Sequence, residues 1–172
     1  MNKVCIQLQN GKEMIVELYE DIAPITVKNF LKLVDEKFYD GTVFHRVIKD
    51  FMCQGGGYYI KDGKYITLKE ADTIKGEFKS NGINNPLHHE LGVISMARTN
   101  VKDSASSQFF LCVDNCNHLD NEYAGFGKIV DENSLKVLKE LNSYKTGMID
   151  YSLTDWPNTD SKDYTIKTIY RI

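Results

Sequence analysis

The side chains that most often bind metals are present in this sequence, but their spacing does not support a metal site. Cys112 and Cys116 are separated by three residues and followed by His118. This spacing differs from that of a zinc ribbon and no second ligand pair follows, so it favours buried thiols. In His88-His89-Glu90 the two imidazoles are neighbours and lack the one-turn spacing of a zinc-binding helix. We interpret that motif as a solvated loop and expect no metal.

Two other motifs could suggest nucleophilic or phosphate chemistry. Ser104, Ser106 and Ser107 lie outside any Gly-x-Ser-x-Gly elbow, and no carboxylate and histidine pair is identifiable as their partners. Acyl transfer is therefore unsupported. Gly55-Gly56-Gly57 is not followed by Gly-Lys-Ser/Thr or by the start of a helix. It predicts a turn, and we expect no cofactor.

One cation stands in an apolar setting. In residues 42–48, alternation places Phe44, Arg46 and Ile48 on one face of a predicted strand. Arginine is a permanent cation whose planar N–H donors engage acceptor groups in a fixed geometry. One face of this predicted strand therefore carries a permanent cation between two apolar residues.

The elements that would position these residues are mostly short strands. Val4, Ile6 and Leu8 alternate before Asn10-Gly11, which is predicted to supply the positive-φ pair of a tight hairpin turn. The spacing of apolar residues predicts helices at 24–36 and around 135–141. Further strands are predicted at 42–48, 92–97, 107–113, 125–130 and 164–172, and residues 55–91 are predicted to form long loops with short strands. Many strands with two helices favour a barrel or a sandwich.

Composition and charge narrow the class of protein. The chain has 172 residues, of which 42% are hydrophobic and 26% charged, with a formal net charge of -3. This composition is typical of one globular domain, and the charge argues against nucleic acid or anionic lipid as a partner. The sequence begins directly with a strand pattern and contains no long apolar run, so we expect no membrane span and a cytoplasmic location. The four cysteines agree with a reducing compartment.

Two blocks of sequence together carry a specific resemblance. The first is residues 44–56, Phe-His-Arg-Val-Ile-Lys-Asp-Phe-Met-Cys-Gln-Gly-Gly. The second comprises 92–99, 104–111, Leu119-Asp120 and 126–128. In this order and at these intervals they resemble the cyclophilin family of peptidyl-prolyl cis-trans isomerases, in its bacterial style. The resemblance extends from the first hairpin to the last strand.

The resemblance implies a fold and an activity. The expected fold is a single domain over residues 1–172, mainly β, with a closed antiparallel eight-stranded barrel capped by two α-helices. The expected activity is rotation about X-Pro peptide bonds in proline-containing peptides and unfolded proteins, by a monomer without a covalent intermediate. Because this reaction breaks no bond, the missing triads and metal ligands are consistent with it.

By the same resemblance, particular residues acquire roles. Arg46 is expected to engage the prolyl nitrogen, with Phe51 and Gln54 completing the catalytic group. The substrate-binding residues are expected to form an apolar proline pocket, polar contacts and a peptide-binding edge: Met52, Ala97, Arg98, Gln108, Phe110, His118, Leu119 and Tyr123.

Four positions depart from the common family pattern. Arg98 stands where asparagine is frequent, and it is expected to alter sequence preference before turnover. His118 replaces a pocket tryptophan of drug-sensitive members, which predicts reduced affinity for cyclosporin, and Tyr123 replaces a histidine. Asp50 replaces a glycine before Phe51, so a positive φ there would be strained.

Two other functions remain open from the sequence. A proline-peptide binding or scaffold module could keep the fold without turnover, although the presence of Arg46, Phe51 and Gln54 favours catalysis. An unrelated barrel that carries a small apolar ligand is hard to reconcile with both motif blocks.

Overall fold

A computed structural model describes residues 2–172 and begins with the predicted hairpin. Strands β1 (Asn2–Leu8) and β2 (Glu13–Leu18) pair antiparallel. The turn differs from the prediction, because Gly11 has a positive φ of 89° but Asn10 does not. Instead the Asn10 side chain accepts a hydrogen bond from the Lys12 N–H at 2.9 Å. The asparagine side chain satisfies a nearby backbone N–H, so the turn forms without a second residue in the left-handed conformation.

Both predicted helices are present. Helix α1 (Pro24–Asp35) begins with proline in its first turn, where the missing N–H costs nothing. The buried Glu77 carboxylate accepts hydrogen bonds from the Thr26 N–H (2.6 Å) and hydroxyl (2.7 Å), which satisfies this end of the helix. Helix α2 (Glu132–Ser143) is capped by Asp131, whose side chain accepts from the Ser134 N–H at 2.8 Å.

The remaining strands are short and divide between three sheets. In chain order they are β3 (Thr42–Val43), β4 (Arg46–Ile48), β5 (Met52–Gly55), β6 (Tyr58–Lys61), β7 (Tyr65–Leu68), β8 (Val93–Met96), β9 (Phe109–Cys112), β10 (Gly125–Lys128), β11 (Thr146–Gly147), β12 (Trp156–Pro157) and β13 (Ile166–Arg171). The main sheet has eight strands in the order β13-β1-β2-β10-β8-β9-β5-β4. The prediction of a mainly β fold with eight main strands and two helices is confirmed.

Closure of the barrel is not confirmed. Within residues 2–172, the two edge strands β4 and β13 form no ladder with each other, so the sheet is a curled half-barrel. The gap is spanned by irregular backbone, through an isolated bridge between Val43 and Thr165 and a hydrogen bond from the Phe44 N–H to the Tyr164 carbonyl at 2.9 Å.

The predicted strand at 42–48 is divided. Its two ends form β3 and β4, which belong to different sheets, and the break lies at Phe44 and His45. Phe44 is fully buried and its ring packs edge-on against Phe109 at 5.9 Å. Strict alternation would have placed Phe44 beside Arg46 on one face, so the break lets the phenylalanine enter the core while the arginine stays exposed.

The four strands that end the main sheet bury apolar residues on both faces. One face, called here the core face, joins the large core that the helices complete, and it carries Val47, Cys53, Ile94, Met96, Phe109 and Leu111. The opposite face, called here the pocket face, carries a smaller cluster of Met52, Val93, Phe110, Cys112 and Cys116. Because side chains alternate along a strand, each of these strands contributes to both clusters.

Candidate active site

The centre of the pocket face is a row of side chains that crosses four strands. Arg46 on β4 lies opposite Gln54 on β5, Gln54 lies opposite Phe110 on β9, and Phe110 lies opposite Ser95 on β8. Residues that lie directly opposite in an antiparallel ladder project to the same side. The pairing therefore brings together side chains that are up to 64 positions apart in the sequence, from Arg46 to Phe110.

A small cavity of about 150 Å³ opens on this row. Its walls are mostly apolar and include Phe51, Met52, Phe110 and Leu119, with Arg46 and Gln54 on one side. Ala97, Arg98 and Tyr123 complete the lining. Every residue that lines this cavity was predicted as a site residue from the sequence.

The polar side of the cavity is a chain of three side chains. The exposed Arg46 guanidinium donates from Nη1 to Gln54 Oε1 at 3.4 Å, and Gln54 Nε2 donates to Gln108 Oε1 at 3.0 Å. Gln54 therefore uses both ends of its amide, and Gln108 fixes its orientation. Arg46 retains most of its N–H donors for another acceptor.

The turn between β4 and β5 holds Phe51 at the mouth of the cavity. Asp50 has a φ of 61°, so this position does adopt the left-handed conformation in which an aspartate is strained. The buried Asn142 side chain of α2 accepts from the Asp50 N–H at 2.9 Å and donates to the Ile48 carbonyl at 2.9 Å. The sequence reasoning missed Asn142, because a polar residue on a helix gives no signal that it contacts a distant turn.

Arg98 has a different environment from the one that its predicted role suggests. Its Nε and Nη2 donate to the Glu122 carbonyl at 3.0 and 2.7 Å, and its Nη1 donates to the Thr99 carbonyl at 2.9 Å. The guanidinium also lies 4.8 Å from the centres of both the Phe78 and Tyr123 rings. These contacts make Arg98 part of the cavity wall, since much of its donor capacity is used by the protein.

Two predicted residues lie outside this cavity. Gln108 lines a neighbouring cavity of about 370 Å³, which shares Gln54, Ala97 and Arg98 with the first. His118 is exposed, and its ring lies 5.4 Å from that of Phe51, on the outer side of the cavity wall.

Comparisons with known proteins decide the family. The family model described as cyclophilin type peptidyl-prolyl cis-trans isomerase/CLD matches residues 3–169. The chain belongs to this family. A peptidyl-prolyl cis-trans isomerase of Acinetobacter baylyi is 46% identical over 67% of the chain and 60% of its own length. Peptidyl-prolyl cis-trans isomerase A of Dickeya dadantii is 38% identical over 85% and 72%, respectively.

A solved cyclophilin structure agrees with these sequence matches. The cyclophilin-type isomerase of Cryptosporidium parvum, determined in the presence of the dipeptide Ala-Pro, superposes with a TM-score of 0.75. It is 27% identical in sequence, and the match covers 99% of this chain and 98% of that one. The resemblance inferred from the two motif blocks is therefore confirmed.

The cysteines of this cyclophilin are buried. All four cysteines are free and buried, and burial raises the pKa of the Cys53 thiol to about 12 and also raises the pKa of the Cys112 thiol. Within residues 2–172 no cluster of metal-binding side chains is found. No helix in this range is long and apolar enough to cross a membrane.

One interpretation from the sequence is wrong. His89 is not part of a solvated loop, because only 1% of its side chain is exposed, whereas 76% of the His88 side chain is exposed. Burial lowers the pKa of His89 against the opposing effect of the Asp120 carboxylate. Neighbouring residues in an extended segment face opposite sides, and here one side is the sheet.

Proposed function

We propose that this cyclophilin isomerises X-Pro bonds in peptides and unfolded proteins at the cavity beside Arg46. The observation that carries the proposal is the combination of a small apolar cavity with a guanidinium at its edge whose donors are largely free. The Ala-Pro dipeptide present with the Cryptosporidium parvum relative supports proline-containing peptides as the ligand class.

The chemistry requires a well-placed donor. The barrier to rotation about a peptide bond is about 18–20 kcal/mol, because the nitrogen lone pair is delocalised into the carbonyl. In the twisted transition state the lone pair is localised on the prolyl nitrogen and becomes a hydrogen-bond acceptor. A donor that engages it only in that state lowers the barrier without stabilising the ground state equally. Arg46 is proposed to supply this donor, since its planar guanidinium presents several N–H groups in a fixed geometry.

The apolar walls are proposed to hold the proline ring. Phe51, Met52, Phe110 and Leu119 offer a surface that excludes water and fixes the ring while the preceding carbonyl rotates. Gln54 then has two tasks, because its carbonyl oxygen orients Arg46 and its amide group is itself held by Gln108. Arg98 and Tyr123 are proposed to shape the wall for the residues before proline.

Several other assignments are proposals of the same kind. We propose that the chain is a single domain and acts as a monomer, and the four free thiols support a reducing compartment such as the cytoplasm. We also propose weak cyclosporin binding, since the exposed His118 beside Phe51 would give a large cyclic peptide less apolar contact than an indole.

The test is exchange spectroscopy on an Ala-Pro peptide with catalytic amounts of the wild-type protein. We expect cis and trans signals to exchange on a time scale far below the uncatalysed tens to hundreds of seconds. Binding of the peptide without faster exchange would support the scaffold module instead. Absence of both binding and exchange would contradict the assignment of the cavity.

A further inference from the structure

A second polar chain lies buried behind the apolar wall of the cavity. Asp120 Oδ1 lies 2.9 Å from His89 Nδ1, and His89 Nε2 lies 2.8 Å from Ser95 Oγ. The His89 and Ser95 side chains are buried, and 15% of the Asp120 side chain is exposed. Asp120 directly follows Leu119, a residue of the cavity wall.

The chemistry of these partners fixes where the protons are. A carboxylate oxygen only accepts, so the Nδ1–H of His89 donates to Asp120. The backbone N–H of His89 also donates to Asp120 Oδ1, at 2.7 Å, and holds the carboxylate from a second direction. In the neutral imidazole Nε2 is then the acceptor, and the Ser95 hydroxyl donates to it.

This order of groups resembles that of a hydrolase triad, but its position excludes nucleophilic attack. Ser95 is fully buried on β8, so no substrate carbonyl can approach its oxygen. The chain must therefore act through a neighbouring side chain.

That neighbour is Phe110. The His89 ring is stacked against the Phe110 ring with centroids 6.1 Å apart and planes inclined by 21°. Ser95 lies directly opposite Phe110 in the strand ladder. On another side the Tyr123 ring meets Phe110 edge-on at 5.9 Å. The ring that forms the cavity wall is thus bracketed by His89 and Tyr123.

We propose that Asp120, His89 and Ser95 are positioning residues that hold Phe110 in the orientation required to grip proline. The hydrogen bonds at both imidazole nitrogens prevent the His89 ring from rotating, and its fixed face limits the Phe110 ring in turn. The proposal rests on the role of Phe110 in the proposed function. It also explains why His89 and Ser95 are buried beside the apolar cluster of the pocket face.

His88 provides a matched control. Its Nδ1 also lies 2.9 Å from Asp120, at Oδ2, but its side chain is mostly exposed. The two histidines therefore share the same carboxylate and differ in burial and in contact with Phe110. A role of Asp120 charge alone would make both histidines equally important, whereas positioning of Phe110 requires only His89.

The experiment compares His89→Asn and Ser95→Ala with His88→Asn. In His89→Asn the asparagine can still donate to Asp120, but it lacks the ring face and the hydrogen bond to Ser95. Ser95→Ala keeps the His89 ring and removes only the hydrogen bond between Ser95 and His89 Nε2. We expect His89→Asn to raise the KM for an Ala-Pro peptide about tenfold with a smaller change in kcat, because the wall grips proline in both states. His88→Asn should stay within about twofold of the wild type.

A second measurement does not depend on activity. Long-range proton–nitrogen NMR of His89 should show the Nδ1–H tautomer, and the Phe110 ring signals should shift in His89→Asn and Ser95→Ala but not in His88→Asn. An Nε2–H tautomer, unchanged Phe110 signals, or an unchanged KM in folded His89→Asn would overturn the proposal. If the wild type showed no isomerase activity, the proposed function would fail while these NMR signals still decided the positioning role.

Discussion

The core face and the pocket face are built from the same strands but meet opposite requirements. Phe109 is fully buried between the rings of Phe30, Tyr39 and Phe44, with centroids 5.5 to 5.9 Å away. Its neighbour Phe110 points the other way and borders a cavity of about 150 Å³. Side chains therefore pack closely against Phe109 on the core face, whereas the side chains of the pocket face leave a cavity beside Phe110.

Alternation of side chains along each strand allows a small sheet protein to carry a site on one face without weakening the core on the other. A one-residue step along a strand changes the face, so Arg46 is exposed while Val47 is buried, and Cys53 is buried while Gln54 reaches the cavity. Residues that pack in the core therefore alternate along the strand with residues that face the cavity. Variants at adjacent positions should separate the two.

The largest expected difference is between Phe109→Ala and Phe110→Ala. Phe109→Ala leaves a cavity in the filled core and should lower the free energy of unfolding by about 3–5 kcal/mol, with catalysis by the folded fraction retained. Phe110→Ala borders existing space and should cost about 1–3 kcal/mol, but weaken proline-peptide binding about tenfold or more. Denaturant unfolding and peptide titration measure the two effects. Equal losses of stability with unchanged affinity would place Phe110 in the core only.

The next effect concerns pH and His45. Burial, aided by the charge of Arg46, lowers the pKa of His45 to about 4. His45 is therefore protonated below about pH 6.5 in the unfolded chain, but only below about pH 4 in the folded chain. The contribution of neutral His45 to stability is complete above pH 6.5 and is lost as the pH falls toward 4. Between pH 6.5 and 4, we expect the free energy of unfolding to fall by about 2–3 kcal/mol less in His45→Gln than in the wild type. Parallel stability curves for variant and wild type between pH 4 and 6.5 would contradict the assignment.

A smaller effect is expected on the rim of the pocket face. His118→Trp should tighten cyclosporin binding about tenfold, because an indole adds apolar area and an N–H donor beside Phe51. The rate with a short Ala-Pro peptide should hardly change, since such a peptide reaches only the inner cavity. Titration calorimetry compares the two proteins, and equal cyclosporin affinities would remove His118 from the inhibitor contact.

The smallest effect is expected at the turn before Phe51. Asp50 has a positive φ, which glycine adopts without steric cost, but glycine also increases the entropy of the unfolded chain. We expect Asp50→Gly to stabilise the fold by about 0.5 kcal/mol. Asp62→Gly, at a φ of 54° in the β6–β7 turn, is the control far from Phe51. Destabilisation at Asp50 alone would show that its side chain contributes more than its backbone strain costs.

Much of the fold was predictable because periodicity reports burial. Alternation identified the first hairpin and the last strand, short β runs indicated β8 and β9, and apolar spacing identified both helices, whereas β5 was not predicted. It failed at Phe44, where the chain breaks a strand to place one ring in the core. The open edge between β4 and β13 could not be predicted either, because it depends on contacts between residues 41–44 and residues 164–166, which are distant in the sequence.

The site was predictable to the extent that motif residues line it. The supporting residues were not, since their roles depend on contacts between distant segments. Asn142 reaches the β4–β5 turn from a helix about 90 positions away, and His89 was misread because two neighbouring histidines gave no sign that only one is buried. Arg98 lines the cavity, but only its contacts reveal that much of its donor capacity is already used.

If Arg46 provides the donor that the prolyl nitrogen needs, substitution of this arginine should have a direct effect on catalysis. Using exchange or protease-coupled kinetics on an Ala-Pro peptide, we expect Arg46→Ala to lower kcat/KM by about 10²–10³, which corresponds to about 3–4 kcal/mol of transition-state stabilisation. The exposed position of Arg46 predicts an intact fold by circular dichroism, and Arg46→Lys should recover little because an ammonium lacks the planar donors. Near-normal rates in Arg46→Ala would remove the arginine from the mechanism.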